Sequence, residues 1–191
     1  FQLEGGMTLS LRGQIDRFDL TKEQDLYLVL DYKTGSTSLL LPEIRHGLKM
    51  QLLLYLFVVR SLLSDTETFP AGMLYAPVVN PVVNSDVRLD DHTLHQKVAN
   101  GMVLTGMLID DVEILKKIDK MSDHICISFN KGGSLSKSSA QFICSREEFE
   151  QLLSYLPVLI RETAEEILHG NIRVSPYRFQ NRNACTFCAY R

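Results

Sequence analysis

The run Leu26-Tyr-Leu-Val-Leu30 constrains the fold more than any other stretch of the chain. It is apolar at every position rather than at alternate ones, so a strand formed from it needs cover on both faces and a central place in a sheet. The run ends in Asp31-Tyr32-Lys33, at the C-terminal end of the strand, where α/β folds often place their sites. Side chains alternate along a strand, so Asp31 and Lys33 point to one face. Upstream, Gly13-Gln-Ile-Asp-Arg17 closes an alternating stretch, and Met7–Phe18 reads as the first strand. Asp19–Asp25 is a polar connector without an apolar run, so a hairpin turning near Lys22–Glu23 is the simplest link. That turn sets Asp16 opposite or diagonal to Asp31, within cross-strand reach.

Two carboxylates and one ammonium thus converge on a small patch of sheet. Carboxylates held close repel each other unless a cation sits between them. Hard oxygen ligands of this kind suit Mg²⁺ or Mn²⁺. Such an ion lowers the pKa of a bound water and neutralises charge on a phosphoryl oxygen. Lys33 is placed to orient an attacking water or to stabilise developing negative charge. Taken alone, the Asp-x-Lys pattern reads more readily as a solvated salt pair on a half-exposed hairpin. Further on, Pro42 can open a helix at its first turn. Glu43–Leu63 has helical composition broken only by Gly47, and Gln51 and Tyr55 share one helix face.

The ordered set Gly-Gln-Ile-Asp16-Arg17, Asp31-Tyr32-Lys33-Thr-Gly and Gln51-x-x-x-Tyr55 resembles the RecB-like branch of the PD-(D/E)XK nucleases. It is closer still to the C-terminal nuclease domain of the AddB/RexB family, one of the two subunits of bacterial ATP-dependent helicase–nucleases. The resemblance runs from about Gly13 to Tyr190. It implies an α/β fold with a restriction-endonuclease-like core, a central mixed sheet flanked by helices. It implies metal-dependent hydrolysis of DNA, with Mg²⁺ or Mn²⁺ held by Asp16, Asp31 and the backbone carbonyl of Tyr32. Lys33 would position or help activate water, and Gln51, Tyr55 and Arg17 would contact DNA or support the ligands. The implied partners are a single DNA strand from an unwound duplex and an AddA/RexA-like helicase–nuclease subunit, in cytoplasmic double-strand-break repair. The family also uses a His or Glu before the first strand as a metal ligand; this chain offers only Glu4 there.

The 191 residues suit one domain, with 45% hydrophobic and 23% charged residues, ordinary for a soluble globular protein. The sequence begins without Met and ends just after a Cys-x-x-Cys, so a piece of a longer protein is expected. The longest apolar run, Leu52–Val59, is too short to span a bilayer, and no signal peptide is visible. A net charge of −3 does not advertise nucleic-acid binding. A local basic rim of Arg12, Arg17, Lys33, Arg45 and Lys49 would suffice for phosphate contacts, though each also reads as ordinary solvated charge.

Later elements follow from local signals. Gly72–Val79 reads as the third strand, with Pro77 and Pro81 ending its pairing. Asp90, Asp91, His92 and His95 have no defined ligand spacing and read as a loop or short helix. Asp110 reads as the N-cap of a short helix with Glu113 as its capping-box partner. Ile125–Asn130 and Ala140–Cys144 read as a hairpin. Its loop carries Lys131 and Lys137, solvated or touching phosphate. Ser145 and Glu148 form a capping box for a helix that Gly170 ends near His169 and Pro157 should kink or split.

Among the four cysteines, Cys126 and Cys144 read as small core residues. Cys185 and Cys188 leave a redox pair, half a zinc site or half an iron–sulfur site open. The family resemblance implies that these two contribute to a [4Fe–4S] cluster whose other cysteines lie elsewhere in the full-length protein. Three rival readings stand beside the helicase–nuclease. One is a CRISPR-associated RecB-like exonuclease, disfavoured because no Cys precedes Cys126. Another is a non-catalytic DNA-binding or scaffolding module with the nuclease fold, and the last is an unrelated α/β domain.

Overall fold

The computed structural model describes residues 1–35, 37–64, 67–78, 81–120, 124–179 and 182–189. Its main sheet has the order β1-β2-β3-β4-β5. β1 (Arg17–Leu20) runs antiparallel to β2 (Leu26–Lys33), in register from Arg17 opposite Leu30 to Leu20 opposite Tyr27. The chain then crosses over through α1 (Leu41–Arg45) and α2 (Gln51–Leu62). It returns as β3 (Phe69–Pro77), parallel to β2. After α3 (Asp91–Gly101) comes β4 (Thr105–Ile109), antiparallel to β3. α4 (Val112–Ile118) precedes β5 (Ile143–Cys144), which pairs parallel with β4. α5 (Arg146–Leu168) follows, then a small antiparallel pair, β6 (Arg178–Phe179) and β7 (Arg182–Asn183).

The sheet is mixed and covered on both faces, as the composition of Leu26–Leu30 demands. On one face Tyr27, Val29, Met73 and Met107 pack under Leu52, Leu53 and Leu56 of α2 and Phe149, Leu153 and Leu156 of α5. On the other, Leu28, Leu30, Leu74 and Leu108 pack against Leu115 of α4 and Ile125 and Ile127. Each fully buried Leu contributes about 1.5–3 kcal/mol of transfer free energy, so these two layers supply the main driving force. Polar ties fix the helices on the sheet. The buried Tyr27 hydroxyl donates to the Leu56 carbonyl at 3.2 Å. Arg60 of α2 donates to the Thr68 carbonyl at 2.9 Å and pairs with Glu150 of α5 at 3.2 Å. β3 and β4 approach closely: a Cβ at Gly72 would come within 2.7 Å of the Met107 carbonyl oxygen, and one at Gly106 would strike Met73.

Several elements differ from the sequence reading. Strand structure begins at Arg17, not Met7: residues 7–16 make only an isolated bridge between Gln2 and Thr8 and have no neighbouring strand to complete a ladder. Asp19 and Leu20 belong to β1 rather than to the turn. The expected long helix over Glu43–Leu63 is two helices. Gly47 (φ 71°) and Lys49 (φ 52°) adopt left-handed backbone that no helix accommodates. β4 has no counterpart in the sequence reading; Gly106 and Gly72 let it lie close against β3. α4 is capped by Asp111, whose side chain accepts from Glu113 and Ile114, while the Asp110 amide bonds to Cys144 across the sheet. The expected pairing of Ile125–Asn130 with Ala140–Cys144 does not form; a single antiparallel bridge joins Phe129 to Leu135. Ile143–Cys144 instead joins β4, and Lys137–Phe142 forms a 3-10 turn. β3 starts at Phe69, and Val79, read as its end, lies outside the described residues.

α5 matches its signals. Ser145 accepts from the Glu148 amide while the Glu148 carboxylate accepts from the Ser145 amide, and Gly170 has φ 67° just past the C-terminus. The helix runs unbroken through Pro157. An internal proline costs about 3 kcal/mol. The burial of Phe149, Leu153 and Leu156 against α2 and the sheet offsets it.

Candidate active site

The site lies at the C-terminal end of β2 and draws on three elements. Continuing the β1–β2 register by one residue sets Asp16 opposite Asp31. The Asp16 carboxylate accepts from the Tyr32 backbone N–H at 2.9 Å, which locks it to the strand end. In a strand, a residue's N–H and C=O point to the same edge, so the Tyr32 carbonyl faces the edge where Asp16 sits. Asp31 is buried, with 1% of its surface exposed. Its Oδ2 pairs with the Lys33 ammonium yet has no hydrogen-bond donor aligned on it. A buried anionic oxygen so poorly solvated is costly, and such atoms collect at functional sites.

Lys33 leads from the strand to α2. Its ammonium donates to Gln51 Oε1 at 2.8 Å, and Gln51 Nε2 donates to the Tyr55 hydroxyl at 2.8 Å. The helical spacing of Gln51 and Tyr55 makes that second bond possible. Four of the expected residues, Asp31, Lys33, Gln51 and Tyr55, therefore form one polar chain, with Asp16 and Tyr32 at its strand end. The ammonium also lies over the ring of Tyr75, 5.5 Å from the centroid. Burial, reinforced by the charges of Asp31 and Glu43, pushes the Tyr75 hydroxyl up to about 12.

Arg17 is not brought to this site. It pairs with Leu30, whose side chain packs on the opposite face of the sheet from Asp31 and Lys33. Its guanidinium forms two bonds to Asp19, each 2.8 Å. That pairing, with a further contribution from Tyr32, raises its already high pKa. Glu4 sits elsewhere too, in an exposed 3-10 turn with its carboxylate 4.0 Å from His169 beyond α5. Of the other basic residues, Lys49 is committed to the buried Glu43 at 3.1 Å and to the Ser38 carbonyl at 2.6 Å. The sequence reading missed Glu43 and Tyr75. Tyr75 reaches the site only through the register of β2 and β3, which pairs it with Asp31, and no local signal encodes that register.

The donor set fits a hard divalent cation. The donor-poor Asp31 oxygen, the facing Asp16 carboxylate and the Tyr32 carbonyl are all oxygen, and an ion such as Mg²⁺ keeps several waters. Among the described residues no three or more His, Cys, Asp and Glu side chains gather to hold a metal. The four-thiolate cluster does not fit this chain alone. Cys185 and Cys188 are exposed on a 3-10 turn, with the Cys188 amide donating to the Cys185 carbonyl at 3.2 Å. Burial pushes the Cys126 thiol up, and burial with Glu148 beside it pushes Cys144 up to about 12. Neither is a ready thiolate.

The chain resembles known proteins along nearly its whole length. The chain is 33% identical to the B-type subunit of the ATP-dependent helicase/deoxyribonuclease of Clostridium kluyveri over 99% of its own length. It is 34% identical to the protein of the same name in Clostridioides difficile, and 33% to that of a Thermoanaerobacter species, each over 98% of its length. It spans about 17% of the length of these curated relatives. A family model of the PD-(D/E)XK nuclease superfamily matches residues 1–191. The chain belongs to the PD-(D/E)XK nuclease superfamily.

Proposed function

We propose that this chain is a Mg²⁺- or Mn²⁺-dependent deoxyribonuclease domain that hydrolyses phosphodiester bonds in a DNA strand. The observation that carries this is the buried, donor-poor Asp31 oxygen facing Asp16 and tied through Lys33 to Gln51 and Tyr55. Asp16, Asp31 and the Tyr32 carbonyl would hold the ion, which supplies charge neutralisation at the phosphoryl oxygens and a more acidic water. Asp31 would share its buried oxygen between the Lys33 ammonium and the ion. Lys33 holds a positive charge where an attacking water or developing oxyanion would sit. Gln51 restrains that ammonium, and Tyr55 restrains Gln51. Similarity to the B-type subunits of helicase/deoxyribonucleases supports exonucleolytic action on strands released by a helicase, in double-strand-break repair, alongside an AddA/RexA-like partner. It also favours that setting over a CRISPR-associated exonuclease. In the full-length protein Cys185 and Cys188 would contribute two ligands to an iron–sulfur cluster. Cleavage of a single-stranded oligonucleotide in Mg²⁺ tests the core of this reading. Wild-type chain should cut and Asp31→Ala and Lys33→Ala should not; wild-type rates in either variant would overturn it.

A further inference from the structure

Lys33 carries its charge on a flexible four-carbon stem, and an ammonium that must meet a reacting atom needs to be held. Three elements hold it. Asp31 pairs with it from its own strand, Gln51 accepts from it on α2, and Tyr75 lies beneath it on β3. In the proposed reaction Asp31 also serves the ion, and Gln51 is itself tied to Tyr55. The Tyr75 ring is given no part in that reaction and belongs to the core packing. It is 3% exposed, paired with Asp31 across the parallel β2–β3 ladder, and fixed in the sheet interior.

We propose that Tyr75 is a positioning residue whose ring face seats the Lys33 ammonium at the site, independently of its hydroxyl. This rests on the role given to Lys33 under the proposed function. A cation over an aromatic face is attracted by the ring quadrupole, and more strongly where water is excluded. A phenol is neutral near pH 7, so the ring carries no charge and phenylalanine offers the same face.

The test compares Tyr75→Phe, Tyr75→Leu and Tyr75→Met in the 191-residue chain. Cleavage of a single-stranded oligonucleotide gives kcat and KM. NMR of ¹³C-lysine-labelled protein, with Lys33→Met to assign the signal, gives the ring-current shift of the Lys33 ε-methylene. Tyr75→Phe should keep kcat within about twofold and retain the shift, whereas Leu and Met should lower kcat about two- to thirtyfold with KM unchanged and lose it. Wild-type kcat in Tyr75→Leu, a Tyr75→Phe variant as impaired as Leu, or a wild-type Lys33 signal without ring shift would overturn the proposal. The wild-type shift is read without any Tyr75 variant folding. Failure of the wild-type chain to cleave would count against the proposed function, while the NMR arm still decides the seat.

Discussion

The two faces of β2 treat charge in opposite ways. On the face of Asp31 and Lys33, a buried carboxylate keeps one oxygen without a hydrogen-bond donor and leans on a single ammonium. On the face of Tyr32, Arg17 and Asp19 satisfy each other through two bonds, with side chains about half exposed. The first arrangement is costly unless something else binds there; the second is solvated and self-contained. One residue of offset along a strand separates them. Proximity in sequence to a motif therefore says little about membership in a site, because alternation assigns neighbours to different faces.

The largest test of this contrast is Asp31→Asn. Cleavage should fall at least about a hundredfold, because the anionic oxygen is lost. Stability should not fall with it: a buried charge disappears while Lys33 keeps Gln51, so the melting temperature should be unchanged or higher. A variant that melts well below wild type would show the Asp31–Lys33 pair to be structural. Next in size is Gln51→Ala, which cuts the bond from α2 to Lys33. A hydrogen bond to a charged group contributes about 1.5–3 kcal/mol when enclosed, and Gln51 is exposed, so a loss of roughly tenfold in kcat is expected from this restraint. Unchanged kcat would make the Gln51 contact incidental. The smallest effect belongs to Arg17→Ala. An exposed pair is worth about 0–1 kcal/mol, so stability and cleavage should stay near wild type. A drop in DNA affinity with a shallower salt dependence would instead show that the second face also meets phosphate.

What the sequence revealed follows the same logic of local against long-range information. The hairpin that brings Asp16 to Asp31 was legible because its turn is short and its register follows from counting. Gln51 and Tyr55 were legible because helical spacing is local, and so were Ser145, Glu148 and Gly170 around α5. Arg17 falls on the other face of the sheet because alternation pairs it with Leu30. β4 was missed because its fit depends on Gly72 and Gly106 lying against another strand's backbone. The break between α1 and α2 was missed because left-handed backbone at Lys49 carries no residue-type signal. Tyr75 and Glu43 reach the site only by tertiary packing.

The spacing of the site contacts bears on how the molecule folds. Tyr32 and Asp16 are 16 residues apart, Lys33 and Gln51 are 18 apart, and Gln51 and Tyr55 are 4 apart. Closing loops of this length costs little chain entropy, and contacts of low sequence separation favour rapid formation. The pairing of α2 with α5 through Arg60 and Glu150 spans 90 residues. The polar chain from Asp31 to Tyr55 is thus of low contact order, held within a scaffold whose closing contacts are distant. The contacts from Asp16 to Tyr55 are the local share of the candidate active site, whereas Tyr75 and α5 join it through pairings more distant in sequence.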